Sequence, residues 1–209
     1  LLDPCCGAGT IAIEAAQMAC GMAPGMQRRF GFERMKPWRP HMAQWQAIKA
    51  QAQAAVHAPT ASVHASDVSQ RMVVLAQANA KRAGVAHAIT ITQADALQRP
   101  PPPASVDAGH APIVLTNPPF GQRIDSLGAA RGDNAAFAQA LAANWKAQYA
   151  GWTAWVLSPD PDFETHLRLK ASARVPVWNG GIECRLLMID LVAGAMRREF
   201  AALRADDRV

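Results

Sequence analysis

No stretch of the chain approaches the roughly 20 consecutive apolar residues of a membrane-spanning helix, and no segment has the layout of a secretory signal peptide. The four cysteines, Cys5, Cys6, Cys20 and Cys184, contain no CxxC pair, and the six histidines never fall at metal-ligand intervals. Neither a membrane protein nor a metal centre is expected, and the cysteines read as free thiols of a reducing cytoplasm. Glycine (14) and proline (15) are ordinary in number, which excludes wholesale disorder. What remains is 209 residues, 50% hydrophobic and 18% charged, enough for one globular domain with a substantial core. A net charge of +5 and a pI near 9.4 suit a polyanionic partner without specifying one. The chain opens at Leu1-Leu2-Asp3, inside a strand and without an initiator Met, and is expected to be part of something longer.

The most demanding stretch is Thr116-Asn117-Pro118-Pro119-Phe120-Gly121-Gln122-Arg123, directly after the apolar run Ile113-Val114-Leu115. Each proline fixes its own φ and removes a donor, and the residue before it is pushed to extended geometry. Such a turn is a rigid rim of acceptors, the Asn117 side-chain oxygen and the Pro118 carbonyl, with Phe120 as a flat apolar face beside them. A planar base with an exocyclic amine fits it, because two N–H groups meet two acceptors and one ring face meets Phe120. A Pro-rich surface turn is the competing reading of the same dipeptide.

At the start of the chain, Leu1-Leu2-Asp3-Pro4-Cys5-Cys6-Gly7-Ala8-Gly9-Thr10 is a strand end, a Gly-x-Gly turn and a helix start, the helix stopping near Gly21. A dinucleotide fingerprint wants a third glycine where Ala12 stands. The Asp3 carboxylate also suits a cationic amine and sulfonium better than a pyrophosphate, so S-adenosylmethionine is the expected ligand. Residues 61–67 read as a second strand ending in Asp67, followed by a helix from about Ser69 to Arg82 closed by Gly84. Asp67 sits where a ribose diol is held, with a plain helix N-cap as the other reading, and the two roles are compatible. The third strand, Ile89-Thr90-Ile91-Thr92, leads to Asp95, which is either a contact for an adenine amine or a plain turn acid.

Residues 22–60 form an insertion whose first half interleaves Arg28, Arg29, Arg34, Lys36 and Arg39 with Phe30, Phe32 and Trp38. That mixture suits unpaired nucleic acid, or else a solvated loop anchored by its aromatics. A helix is predicted from Pro40 to about His57, with Met42, Trp45, Ile48 and Val56 on a face expected to pack. Beyond the stiff Pro100–Pro103 loop and the strand that ends at Asn117 come a helix over Asn134–Tyr149, a strand over Trp152–Ser158 and a short helix over Phe163–Lys170. Strands near Arg174–Trp178 and Glu183–Leu191, separated by Asn179-Gly180-Gly181, predict an antiparallel hairpin. The alternation predicts a doubly wound, Rossmann-like α/β sheet with its ligand residues beyond the strand carboxyl ends.

The order D-P-C-C-G-A-G-T, Asp67, Asp95 and N-P-P-F resembles the class I S-adenosylmethionine-dependent methyltransferases that modify exocyclic amines. More narrowly, R-R-F-G-F-E-R before Trp38, T-N-P-P-F-G-Q-R, and W-V-L-S-P-D with N-G-G-I-E-C-R-L-L are similar to the THUMP-associated ribosomal RNA guanine-N2 methyltransferases. The resemblance implies a seven-stranded sheet, methyl transfer to guanine in large-subunit ribosomal RNA, and an RNA-binding THUMP-like region upstream. Carried onto this sequence, it implies cofactor contacts at Asp3, Cys6, Gly7, Gly9, Thr10, Asp67, Asp95, Ala96 and Asn117. It likewise implies a catalytic turn of Asn117, Pro118, Pro119 and Phe120, and RNA contacts at Arg28, Arg29, Arg34 and Arg123. Phe120 stands where Tyr is frequent, Ala8 where Ser is common, and Ser69-Gln70 where an acidic or Pro-containing pair is usual; none removes a candidate contact. Residues 1–195 are expected to be the methyltransferase domain and 196–209 a charged tail. Two other readings stay open: an adenine-N6 methyltransferase on DNA or RNA, and a non-catalytic domain that binds cofactor or RNA.

Overall fold

A computed structural model describes residues 1–103, 112–119 and 134–193, and every structural statement here concerns those residues. Seven strands among them form one sheet: β1 (Leu2–Asp3), β2 (Val63–Asp67), β3 (Ile89–Gln93), β4 (Ile113–Thr116), β5 (Trp152–Ser158), β6 (Ala173–Asn179) and β7 (Ile182–Leu191). Their spatial order is β3-β2-β1-β4-β5-β7-β6. The first five are mutually parallel, and β7 runs antiparallel between β5 and β6. The expected hairpin is present: Asn179 pairs with Ile182 across Gly180-Gly181, and Gly180 takes φ +63°.

Among the described residues there are five α-helices, α1 (Thr10–Ala19), α2 (Met42–Ala54), α3 (Gln70–Arg82), α4 (Asn134–Gln148) and α5 (Phe163–Leu167), of which α2 lies in the insertion and not on the sheet core. On one face of the sheet α1 and α3 present small residues, Ala12 and Ala16 with Ala76, all buried beside Val63 and Ala65. On the other, Ala138, Leu141, Ala142 and Trp145 recur at helical spacing along α4, and Tyr149 follows just past its end. They meet Leu2, Val114, Val156 and Ile189 of the sheet. Alternation along β5 buries Trp152, Ala154 and Val156, whose register partners on β7 are Leu191, Ile189 and Leu187. Among the described residues no helix is long and apolar enough to cross a membrane.

Both predicted glycine stops are found, for one physical reason. Gly21 and Gly84 adopt φ +64° and +77°, and the residue after each donates its N–H five residues back, Met22 to Gln17 and Val85 to Ala80. This satisfies last-turn carbonyls that would otherwise have no partner. The long helix expected from Pro40 is corrected. Lys36–His41 forms a tight 3₁₀ segment containing Pro40, and α2 starts only at Met42. Its apolar stripe packs only in part: Trp45 meets Phe30 and Phe32, but no residue of α2 is buried and Ile48 is 48% exposed. The α5 helix is also shorter than expected, because Arg168 turns left-handed at φ 51°.

Candidate active site

The sheet order reverses direction between β1 and β4, and open α/β sheets bind ligands in the crevice at such a switch point. The expected residues lie along that edge in a definite sequence. Asp95 follows β3, Asp67 ends β2, Asp3 ends β1 with Gly7 beyond it, and Asn117 follows β4. Adjacent strands are about 4.8 Å apart, so the row from β3 to β4 spans roughly 14 Å.

Asp3 is 1% exposed, with its Oδ1 accepting the Thr116 hydroxyl at 3.0 Å and the Cys5 N–H at 3.2 Å. Burial raises its carboxyl to about 7, against the lowering effect of those two donors. Burial and the neighbouring Asp3 charge also hold both thiols up, Cys5 well above the ordinary range and Cys6 to about 12. Neither cysteine is a thiolate nucleophile at neutral pH.

The turn after β1 is tied across the sheet. Cys6 N–H donates to the Ser66 carbonyl at 2.8 Å, and Gly7 N–H to Asp67 Oδ2 at 3.0 Å. Asp67 Oδ1 accepts from Ser69 N–H at 2.9 Å. Asp67 therefore closes a local turn and bridges to the glycine loop; the start of α3 is Ser69. An ionised carboxylate has about four acceptor positions, so acceptor capacity is left for hydroxyl donors. Gly7 has φ +51°, and a Cβ there would meet nothing within 4 Å, so the loop faces open space. Gly9, at φ +88°, has the opposite environment: its Cβ would lie 3.1 Å from that of Ala76. Thr10 is exposed as the first residue of α1.

Asp95 Oδ1 accepts from Leu97 N–H at 2.9 Å, so the turn role is present. The loop beneath is held by α4 and the segment after it, where Asn144 Nδ2 donates to the carbonyls of Ala96 and Arg99 and the Tyr149 hydroxyl donates to that of Arg99. In the turn after β4, Asn117 is exposed, Pro118 buried and Pro119 half-buried. Phe120 and Arg123 lie outside the described residues.

Arg28, Arg29 and Arg34 are not brought to this edge by their anchors. They sit in an insertion rooted where α1 ends and β2 begins, with His57 N–H bonded to Cys20 O and Thr60 N–H to Ala19 O. Sequence reading assigned no role to Thr116, Asn144 or Tyr149. The signal available for Thr116 was a hydroxyl at the last strand position, directly before Asn117. Among the described residues no group of three His, Cys, Asp or Glu could hold a metal ion.

These residues fit an adenosyl ligand bearing a cation: three carboxylates along one edge, a loop open at Gly7, and a buried acid stabilised by an incoming positive charge. Comparison with known proteins agrees. Residues 1–188 match the RMKL-like methyltransferase domain. The ribosomal RNA large subunit methyltransferase K/L of Shewanella loihica is 39% identical over 204 residues, covering 95% of this chain and 27% of that protein. Its Shewanella amazonensis counterpart is 40% identical over 208 residues, with the same two coverages. The chain thus spans 27% of the length of these curated relatives. The crystal structure of SMU.472 complexed with SAH has a TM-score of 0.75 and 25% identity, over 90% of this chain and 47% of that one. TrmN from Thermus thermophilus shares the fold at a TM-score of 0.55 and 19% identity, over 91% of this chain and 43% of its own. With the family match covering nearly the whole described chain and the strand-end residues in place, the chain belongs to the RMKL-like methyltransferase domain family.

Proposed function

We propose that this domain transfers a methyl group from S-adenosylmethionine to the exocyclic N2 amine of guanine in large-subunit ribosomal RNA. The observation that carries the reading is the order Asp95, Asp67, Asp3, Asn117 along one sheet edge. Its first three members parallel adenine, ribose and the charged amino-acid end of the cofactor, and Asn117 follows the strand next to that of Asp3, on the acceptor side.

S-adenosylmethionine supplies an electrophilic methyl group on a sulfonium. When it is bound, Asp95 would face the adenine amine, Asp67 would accept from the ribose hydroxyls, and Asp3 would balance the amino group. Cys6, Gly7, Thr10 and Ala96 would give a close backbone wall, with Gly9 packing that loop onto Ala76 behind it. Asn117 Oδ1 and the Pro118 carbonyl accept the two hydrogens of the target amine. This draws the amine nitrogen towards tetrahedral geometry and frees its lone pair for in-line attack; the N–C bond would form as the sulfonium C–S bond breaks, and one N–H proton would leave to solvent. Pro118 and Pro119 keep the acceptors from relaxing, and Phe120 stacks on the base. A base in a helix cannot bring its amine to a recessed turn, so the target is flipped or unpaired. Arg28, Arg29, Arg34 and Arg123 meet the RNA backbone. The reaction belongs to the cytoplasm, and a THUMP-like region of the longer protein supplies further RNA contacts.

The choice of guanine rests on the relatives' names and the motif resemblance, since two acceptors explain an amine without specifying its base. The test incubates unmodified large-subunit ribosomal RNA with labelled cofactor and the longer protein, then digests to nucleosides. Label in N2-methylguanosine is expected. Label in N6-methyladenosine would replace the guanine assignment, and no label despite cofactor binding would remove the enzymatic reading.

A further inference from the structure

The insertion folds around its own aromatic cluster. Phe30 stacks on Phe32 with ring centroids 5.6 Å apart, and Trp45 meets both rings edge-on at 5.4 and 5.1 Å. Glu33 Oε1 fixes the arrangement by accepting from Phe30 N–H and Trp45 Nε1–H. The cluster buries no residue fully, and it leaves a concave apolar pocket of about 240 Å³. Phe32, Trp38, His41, Met42, Trp45 and Ile48 line it. Trp38 is 45% exposed and Ile48 48%, so the face that looked like core packing in the sequence opens to solvent.

Charge identifies the occupant. Residues 22–60 carry six Lys or Arg (Arg28, Arg29, Arg34, Lys36, Arg39, Lys49) against Glu33 alone, a net +5. The rest of the chain balances at 15 of each sign, so the whole net charge of the protein resides here. The one carboxylate is already engaged, and all the cations except half-buried Lys49 are exposed. Lys49 Nζ lies 5.7 Å from the centre of the Trp45 ring and the Arg28 guanidinium 5.9 Å from that of Phe30; an aromatic-lined hollow in so basic a segment matches an unpaired nucleotide, whose base has two π-faces and whose phosphate is anionic. A protein segment would have no use for so one-sided a charge unless it were strongly acidic.

We infer that this pocket is a second nucleotide site, holding an unpaired base of the RNA substrate other than the one whose amine meets Asn117. Its lining shares no residue with the strand-end set. Its roots also lie at the far end of α1, whose ten residues rise about 15 Å. The site anchors substrate and does no chemistry. The inference rests on the RNA reading of the domain but is independent of which base is methylated.

The test measures binding of the full chain to a twelve-nucleotide single-stranded RNA of mixed sequence and to its blunt duplex. Trp38→Ala and Ile48→Glu should each weaken single-strand binding by about ten-fold, the scale of one lost stacking platform. Trp38→Phe should retain most of the affinity, and duplex binding should be unchanged. Ile48 is half-exposed, so its replacement leaves the fold intact, which unaltered S-adenosylhomocysteine affinity checks. Unchanged single-strand affinity in both variants, or an equal loss on the duplex, would overturn the site. So would loss of binding to another protein segment with RNA affinity intact. Label in N6-methyladenosine would overturn the guanine assignment and leave the pocket standing. N2-methylguanosine made by variants with undiminished RNA affinity would do the reverse.

Discussion

The Thr116 hydroxyl donates to Asp3 Oδ1 at 3.0 Å, joining two side chains that are 0% and 1% exposed and 113 residues apart. One is the acid expected at the cofactor's charged end; the other directly precedes the residue expected to hold the target amine. The bond ties the ends of β1 and β4 together across their junction.

Thr116→Val keeps the shape and removes the donor. A hydrogen bond to a carboxylate is worth about 1.5–3 kcal/mol, and cofactor affinity at pH 7 should fall by a comparable amount. Thr116→Ser should restore it, which a merely steric role would not predict. Calorimetric titration of wild type and both variants distinguishes the cases, and unchanged affinity in the valine variant would remove the positioning role.

Asp3 gives a pH dependence of definite sign. Burial raises its carboxyl to about 7 from 3.8, so the folded state keeps a proton that the unfolded chain has lost. Stability from this group therefore falls as pH rises from about 4 to about 7 and is level above that. A cationic ligand group beside Asp3 favours the ionised form. Cofactor binding should release a proton below pH 7, and affinity should rise with pH before levelling off. Titrations in buffers of different ionisation enthalpy measure that proton, and Asp3→Asn should abolish its release. Affinity independent of pH between 5 and 8 would rule the contact out.

Gly7 and Gly9 should separate ligand effects from packing effects. Gly9→Ala places a Cβ 3.1 Å from Ala76 in a left-handed backbone, and should cost about 2–4 kcal/mol of stability from overpacking and strain together. Gly7→Ala carries only the backbone strain, about 1–2 kcal/mol, because its Cβ enters open space. The Gly7 variant should lose cofactor affinity out of proportion to its thermal shift. The opposite ranking in paired denaturation and binding measurements would contradict a ligand in front of Gly7.

Much of this was legible in the sequence because the signals are local. Apolar runs end in Asp67 and Thr116-Asn117, Gly21 and Gly84 can take positive φ, and the Asn179-Gly180-Gly181 turn permits a hairpin. The illegible parts depend on partners distant in sequence. Nothing near Asp67 announces that it holds the N–H of Gly7, and nothing near Asp95 shows its loop held by Asn144 and Tyr149. Met42 and Ile48 misled for a related reason: helical periodicity reveals that a face is apolar and not what it faces. Here it faces a pocket.

The central claim is that Asn117 serves the methyl acceptor and the carboxylate row serves the cofactor. Single-turnover methylation by Asn117→Ala, measured beside S-adenosylhomocysteine affinity, tests it most directly. The account predicts affinity close to wild type with the chemical step slowed by about 100-fold or more, the scale of losing one preorganised polar contact to the reacting group. Near-normal turnover in that variant would contradict it and make the Asn117-Pro118-Pro119 turn purely structural.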